Sequence, residues 1–232
     1  MKKNFTAMAD LIPAKNDTPY KRIFAIGDIH GCFDKLISLW KKLSVTNEDL
    51  VIFLGDYVEG GNQDLQVLSW LAQQNQNENI VVLPGNVDFA LKDYLQNEFK
   101  PTTPAESELF NGVCRFIEIL PLYYKIKIGG RDYFFCHGGI NPRQSLDNQS
   151  KESLIGYCLE IFLEEYNGDA VIIMGHKSPR KIKQLFPQFR ELDTLQPVRI
   201  PHKNILLLDT RAKDFNGYLS CLNILTGEFW QS

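Results

Sequence analysis

RIFAIGDIHGCFDKL, residues 22–36, opens on an apolar run, halts at Gly27-Asp28 and passes into a helical pattern. The same punctuation recurs along the chain. LVIFLGD ends in Gly55-Asp56, IVVLPGN in Gly85-Asn86 and AVIIMGH in Gly175-His176. YFFCHGG reverses the order, with His137 before Gly138-Gly139, and ILLLDTR ends in Asp209-Thr210. Short runs of this kind, rich in Val, Ile, Leu and Phe, are those of strands buried on both faces.

Helical patterns at 33–44, 63–74 and 87–99 follow the first three runs, so the chain begins with βαβ units and parallel pairing. Later it changes character. LYYKIKIGGRDYFFCHGG predicts a hairpin turning at Gly129-Gly130, and YLSCLNILTGEFWQS a closing hairpin turning at Thr226-Gly227. The fold class is therefore α/β with mixed sheets. Residues 1–20 are expected as a flexible arm and residues 21–232 as one domain; no repeat or linker divides them.

Composition narrows the function classes. The net charge of −3 argues against a nucleic acid duplex as partner. No apolar stretch is long enough for a bilayer, and the N-terminus does not read as a signal peptide. Five cysteines at irregular spacing, with no CxxC, form neither a disulfide framework nor a zinc knuckle. Cys136, Cys158 and Cys221 sit in apolar surroundings and are expected in the core. A cytoplasmic setting follows from reduced thiols.

Ligands of open α/β sheets gather beyond the carboxyl ends of the strands. Here those ends carry Asp28, His30, Asp56, Asn86, His137 and His176. His202 precedes its strand and belongs at the opposite edge. One Gly-Asp after a strand is usually only a turn; six such residues at corresponding strand ends call for a common explanation. Two carboxylates, one amide oxygen and three imidazoles suit two divalent ions such as Mn, Fe or Zn, bridged by one carboxylate. Ions about 3.5–4 Å apart are the clamp of phosphoryl-transfer enzymes. Two such ions against Asp28 and Asp56 leave a cationic site, fit for a phosphoryl dianion and for a water ionised near neutral pH.

GDIHGCFDKL (27–36), GDYVEGG (55–61), GNVD (85–88), CHGGINP (136–142), GHKSP (175–179) and ILLLDTRA (205–212) stand in an order that resembles the calcineurin-like metallophosphoesterases. Within them the chain is most similar to the serine/threonine phosphoprotein phosphatase branch in its bacterial and phage form, which includes symmetrical diadenosine tetraphosphate hydrolases. The resemblance implies two mixed β-sheets packed as a sandwich flanked by helices. It implies that Asp28 and His30 hold one metal, that Asn86, His137 and His176 hold the other, and that Asp56 bridges. The implied activity is hydrolysis of a phosphate ester or phosphoanhydride by metal-bound hydroxide. Implied partners are a phosphorylated small molecule, a dinucleoside polyphosphate or a phosphoprotein.

The accessories depart from the family pattern. Val87 stands where the resemblance implies a general-acid histidine, Glu59 where it implies that histidine's aspartate partner, and Gly60 where it implies a phosphate-binding arginine. A second such arginine would fall at Leu159. Glu59 and Asp88 are the candidate substitute acids, although a dinuclear cation centre would keep a nearby carboxyl ionised. Lys177 and Arg211 are the candidate substitute cations, and the stretch 176–190 is locally basic. General acid catalysis contributes roughly 10²–10⁴-fold and matters most for alkoxide leaving groups. Its loss points to good leaving groups, or to a pseudophosphatase that binds phosphorylated ligands without turnover. A helix is expected within 101–121 as a lid candidate.

Overall fold

The computed structural model describes residues 3–4, 6–157 and 159–232, without the side chains of residues 4, 6, 7 and 157. In chain order the main elements are β1 (Lys3–Asn4), β2 (Arg22–Ile26), α1 (Phe33–Leu43), β3 (Asp49–Phe53), α2 (Asp64–Gln74), β4 (Ile80–Val82), α3 (Asn86–Asn97) and α4 (Pro104–Ile119). There follow β5 (Tyr123–Ile128), β6 (Arg131–Cys136), α5 (Glu160–Leu163), β7 (Val171–Met174), α6 (Pro179–Leu185), β8 (Val198–Arg199), β9 (Ile205–Leu207), β10 (Ser220–Asn223) and β11 (Glu228–Gln231).

The strands form a six-stranded sheet, β1-β11-β10-β2-β3-β4, and a five-stranded sheet, β5-β6-β7-β9-β8. In the first, β2, β3 and β4 run parallel. In the second, β6, β7 and β9 do. Two parallel triplets thus sit in two facing sheets. The hairpins at Gly129-Gly130 and Thr226-Gly227 form as expected, with positive φ at Gly129, Gly130 and Gly227.

Side chains alternate between layers with the strand period of two. Ala25, Ile52 and Leu54 of one sheet meet Phe135, Ile173 and Leu206 of the other in the inter-sheet core. Phe24, Ile26 and Phe53 face outward onto α1, α2 and α4. Phe134, Ile172 and Leu207 face outward onto α5 and α6. These are strands covered on both sides, which is why they read as unbroken apolar runs.

Of the segment 1–20, expected as a flexible arm, residues 3–4 and 6–20 are described. Of these, Lys3–Asn4 add β1 to the edge of β11, and Met8 and Leu11 are fully buried. Tyr133 donates its hydroxyl to the Leu11 carbonyl at 2.7 Å, so burial of two apolar side chains and a buried hydrogen bond hold the segment on the inter-sheet core. Cys136 and Cys221 are buried, as is Cys114; Cys158 lies outside the described residues. Among the described residues no helix is long and apolar enough to cross a membrane.

Candidate metal centre

Every expected ligand follows the carboxyl end of a parallel strand: Asp28 and His30 after β2, Asp56 after β3, Asn86 after β4, His137 after β6 and His176 after β7. Because the two parallel triplets face each other, these ends converge. His202 lies in the turn before β9, away from them.

Hydrogen bonds crossing between the sheets orient the side chains. His137 Nδ1 lies 2.8 Å from the Leu54 carbonyl. A carbonyl only accepts, so Nδ1 carries a proton and Nε2 is the ring nitrogen turned inward. That Nε2 stands 3.2 Å from Asp56 Oδ1 and 3.2 Å from Asn86 Oδ1. His30 repeats the device: Nδ1–H faces the carbonyls of Val58 and Glu59 at 3.0 and 2.8 Å, leaving Nε2 3.7 Å from Asp56 Oδ2. The His176 backbone N–H donates to Asp28 Oδ2 at 3.0 Å, joining the two sheets again. His176 Nε2 is buried with no hydrogen-bond partner.

Two groups of candidate ligands result, Asp28–His30–Asp56 and Asp56–His137–His176, each with donor atoms within 4.8 Å of one another. Asp56 belongs to both. Two carboxylates, an amide oxygen, inward-facing imidazole nitrogens and an orphaned buried nitrogen suit a pair of divalent ions.

Electrostatics agrees with a site built for positive charge. Burial raises the Asp28 carboxyl well above its usual range, and the Asp209 carboxyl beside it adds to this. Burial alone would raise Asp56, but His137 and His30 outweigh it and bring it to about 2. Burial alone would lower His137, but Asp56, Asp28 and Asp88 outweigh it and lift it to about 9. His176 is held down at about 3 by burial and by the charges of His137 and Lys177, so its ring stays neutral.

Local backbone geometry shows the cost of this convergence. His30, Asp56, His176 and Arg211 all adopt positive φ, between 49° and 63°, and all line one cavity. For non-glycine residues such backbone costs of order 1–3 kcal/mol each, and it concentrates at functional sites. Gly175 is required by contact: a Cβ there would stand 2.1 Å from Asp28 Oδ1. Gly85 is required in the same way, with Asp56 Oδ1 2.1 Å from the position of a Cβ. These two glycines therefore let the carboxylates of the six-stranded sheet approach neighbouring strand ends, Asp56 that of β4 in the same sheet and Asp28 that of β7 in the other.

The cavity measures about 420 Å³. Besides the candidate ligands it is lined by Val87, Lys177 and Arg211, and by Lys181, Asp209 and Lys213, which sequence reading left out of the site. Asp209 was visible in the pattern of strand ends. Nothing in local spacing marked Lys181 or Lys213. Arg211 is tied to Asp214 by an ion pair. Burial lowers the Lys177 ammonium, with Lys181 adding to the effect.

The two expected acids, Glu59 and Asp88, are not among the residues that line this cavity. Asp88 is fully buried and accepts backbone N–H bonds from Asp56, Tyr57 and Gly85 at 2.8–2.9 Å. It ties two ligand loops together. Burial and the Asp56 charge raise it to about 7 despite those three donors. The Glu59 side chain is exposed and borders a separate hollow beside Val87 and Tyr94; only its carbonyl reaches the site, through His30. Leu159 precedes α5 and lines no part of the cavity. Helix α4 forms within the expected segment but lines a groove with α2, not the ligand cavity. The ring of His176 instead packs over Gly156, whose φ of 127° and missing side chain make room for it.

The chain is similar to several known phosphohydrolases. It is 30% identical over 139 residues to an asymmetrical bis(5'-nucleosyl)-tetraphosphatase of Bacillus velezensis, covering 50% of this chain and 55% of that protein. The counterpart from Anoxybacillus flavithermus is 29% identical over 196 residues, 67% of this chain and 79% of that protein. A symmetrical bis(5'-nucleosyl)-tetraphosphatase of Buchnera aphidicola is 32% identical over 108 residues, 45% and 36% of the two chains. The match thus spans little more than half of the first relative and about a third of the last. Among solved structures, a provisionally assigned diadenosine tetraphosphatase superposes with a TM-score of 0.67 at 18% identity over 95% of this chain and 96% of its own. A protein serine/threonine phosphatase of Saccharomyces cerevisiae superposes at 0.61 and 16% identity, over 93% and 78%. Residues 21–201, a span that includes all six strand-end residues, match the profile of the calcineurin-like phosphoesterases, and the chain belongs to that family.

Proposed function

We propose that the chain hydrolyses phosphoanhydrides, with dinucleoside polyphosphates as its substrate class, and that it requires two divalent cations, Mn, Fe or Zn. The observation that carries this reading is the division of Asp56: Oδ1 faces His137 Nε2 and Oδ2 faces His30 Nε2, with both rings anchored on backbone carbonyls. Asp28 and His30 would hold one cation, Asn86, His137 and His176 the other, and Asp56 both. When bound, the ions would polarise a phosphoryl oxygen and acidify an attacking water.

The remaining residues set the kind of leaving group. Val87 presents only methyl groups to the cavity, and its backbone N–H is committed to Asp56 Oδ1 at 3.2 Å. Asp88 is engaged by three N–H donors, and Glu59 faces elsewhere. No side chain of this group is placed to hand a proton to a departing alkoxide. A phosphoanhydride leaves as a phosphate anion and needs little such help. The activity for which the bis(5'-nucleosyl)-tetraphosphatase relatives are named supports the same class.

The test is turnover, with added Mn²⁺, of a dinucleoside tetraphosphate and of aryl phosphates graded in leaving-group pKa, with Asp56→Asn as control. Rates rising steeply as that pKa falls support the reading. A flat dependence contradicts it, and tight binding without turnover would instead establish the pseudophosphatase.

A further inference from the structure

Gly60 and Lys213 come from different parts of the chain, the loop after β3 and the loop before β10, yet they are in contact. A Cβ on Gly60 would lie 2.7 Å from Lys213 Cδ and 2.8 Å from Lys213 Cβ, with His30 Cβ at 3.4 Å. Gly60 also holds a φ of 139°, which L side chains rarely adopt. The stem of Lys213 therefore occupies the space a side chain at residue 60 would need, beside His30, and Lys213 is among the residues that line the cavity.

Two other lysines line the same cavity from α6 and the loop before it, Lys177 and Lys181, next to His176. Among the described residues, none of these three lysines has a carboxylate within 4.0 Å. Their neighbours differ: Arg180 and Lys183 both pair with Asp193, and Arg211 pairs with Asp214. Arg180 and Lys183 do not line the cavity, whereas Arg211, held by Asp214, does.

One phosphoryl group centred on Asp56 does not account for cations beyond both ends of the ligand cluster. Lys213 lies on the His30 side, and Lys177 and Lys181 on the His176 side. An anion that meets all three must extend past the cluster in both directions, and each added phosphate brings further negative charge. We propose that Lys213, seated on Gly60, and Lys177 with Lys181 form a two-sided grip for a linear chain of phosphates, with Lys213 supplanting any side chain at residue 60 as the cation of the His30 side. This rests on the hydrolytic reading above for its location but not for its test. It selects substrates with several linked phosphates over phosphomonoesters.

The test is titration calorimetry of the chelator-treated full chain with inorganic tripolyphosphate and, separately, with inorganic phosphate. Tripolyphosphate is expected to bind at least tenfold more tightly than phosphate. Lys213→Ala and Lys181→Ala should each weaken it by about tenfold, the size of one charge-assisted hydrogen bond. Lys213→Arg should restore most of the affinity, and added salt should weaken the wild type more than either alanine variant. All three lysines are partly or fully exposed, so the folded state should survive; an unchanged circular-dichroism melt checks this. Equal affinity for the two anions, or tripolyphosphate binding indifferent to Lys213→Ala, overturns the grip. Lysine-dependent binding in a protein that turns over no phosphate would retire the hydrolytic reading and leave the grip standing. Turnover of aryl phosphates with lysine-independent tripolyphosphate binding would do the reverse.

Discussion

Asp56 Oδ1 and His137 Nε2 stand 3.2 Å apart across the gap between the two sheets, each presented by the carboxyl end of a parallel strand. Replacing Asp56 with Asn removes the one carboxylate that the two candidate groups share. Metal analysis of dialysed protein should show less than half the Mn²⁺ content of wild type. Retention of two ions per chain in Asp56→Asn would refute its shared role. Treatment with a strong chelator should likewise abolish turnover, and added Mn²⁺ should restore it.

Val87 suggests a gain-of-function experiment. Val87→His places an imidazole on the cavity wall beside Asn86. Turnover of an alkyl phosphate should rise toward the lower end of the general-acid range, about 10²-fold. The slope of rate against leaving-group pKa should flatten at the same time. An unaltered slope would show that residue 87 does not face the departing oxygen.

Asp88 is expected to act through backbone order. Asp88→Ala strips three buried N–H groups of their acceptor. At about 1–3 kcal/mol for each unsatisfied group, stability should fall by at least about 3 kcal/mol in chemical denaturation. A loss below about 1 kcal/mol would mean that the loops keep their shape without it.

Asp49 gives a pH signature remote from the cavity. Its carboxylate is buried and takes bidentate hydrogen bonds from Arg22 at 2.8 and 2.6 Å, with Thr46 adding two more. Burial alone would raise its pKa, but Arg22 and Thr46 outweigh that and hold it below the usual carboxylate range. The unfolded chain therefore takes up the proton first. The stability this group supplies is complete above its unfolded pKa of about 3.9 and drains away as pH falls through the lower folded value. Asp49→Asn should destabilise the protein by about 1–3 kcal/mol near neutral pH and flatten the acid limb of its stability profile. An acid limb identical to that of wild type would remove Asp49 from its cause.

Much of this molecule was legible in the linear chain. The apolar runs that end at Gly27, Gly55, Gly85, Cys136 and Gly175 announced strands buried on both faces, and Asp28, His30, Asp56, Asn86, His137 and His176 announced a polar set at their ends. A strand's period and its terminating glycine are local properties, written in neighbouring residues. What lay beyond that reading was set by contacts between distant segments. Asp88 looked like a spare acid until its three backbone donors came from the folded loops around it. Met8 and Leu11 looked like part of an arm until the inter-sheet core closed over them.

The sequence by itself thus determined the strands, the identity of the polar residues at their ends and the absence of an imidazole at residue 87. Only the tertiary structure decided that Asp56 divides its oxygens between two histidines and that Lys213 lies across Gly60. The physical reason is the facing of two parallel triplets: it brings together strand ends far apart in sequence, and which side chains then touch depends on sheet packing that no local pattern encodes.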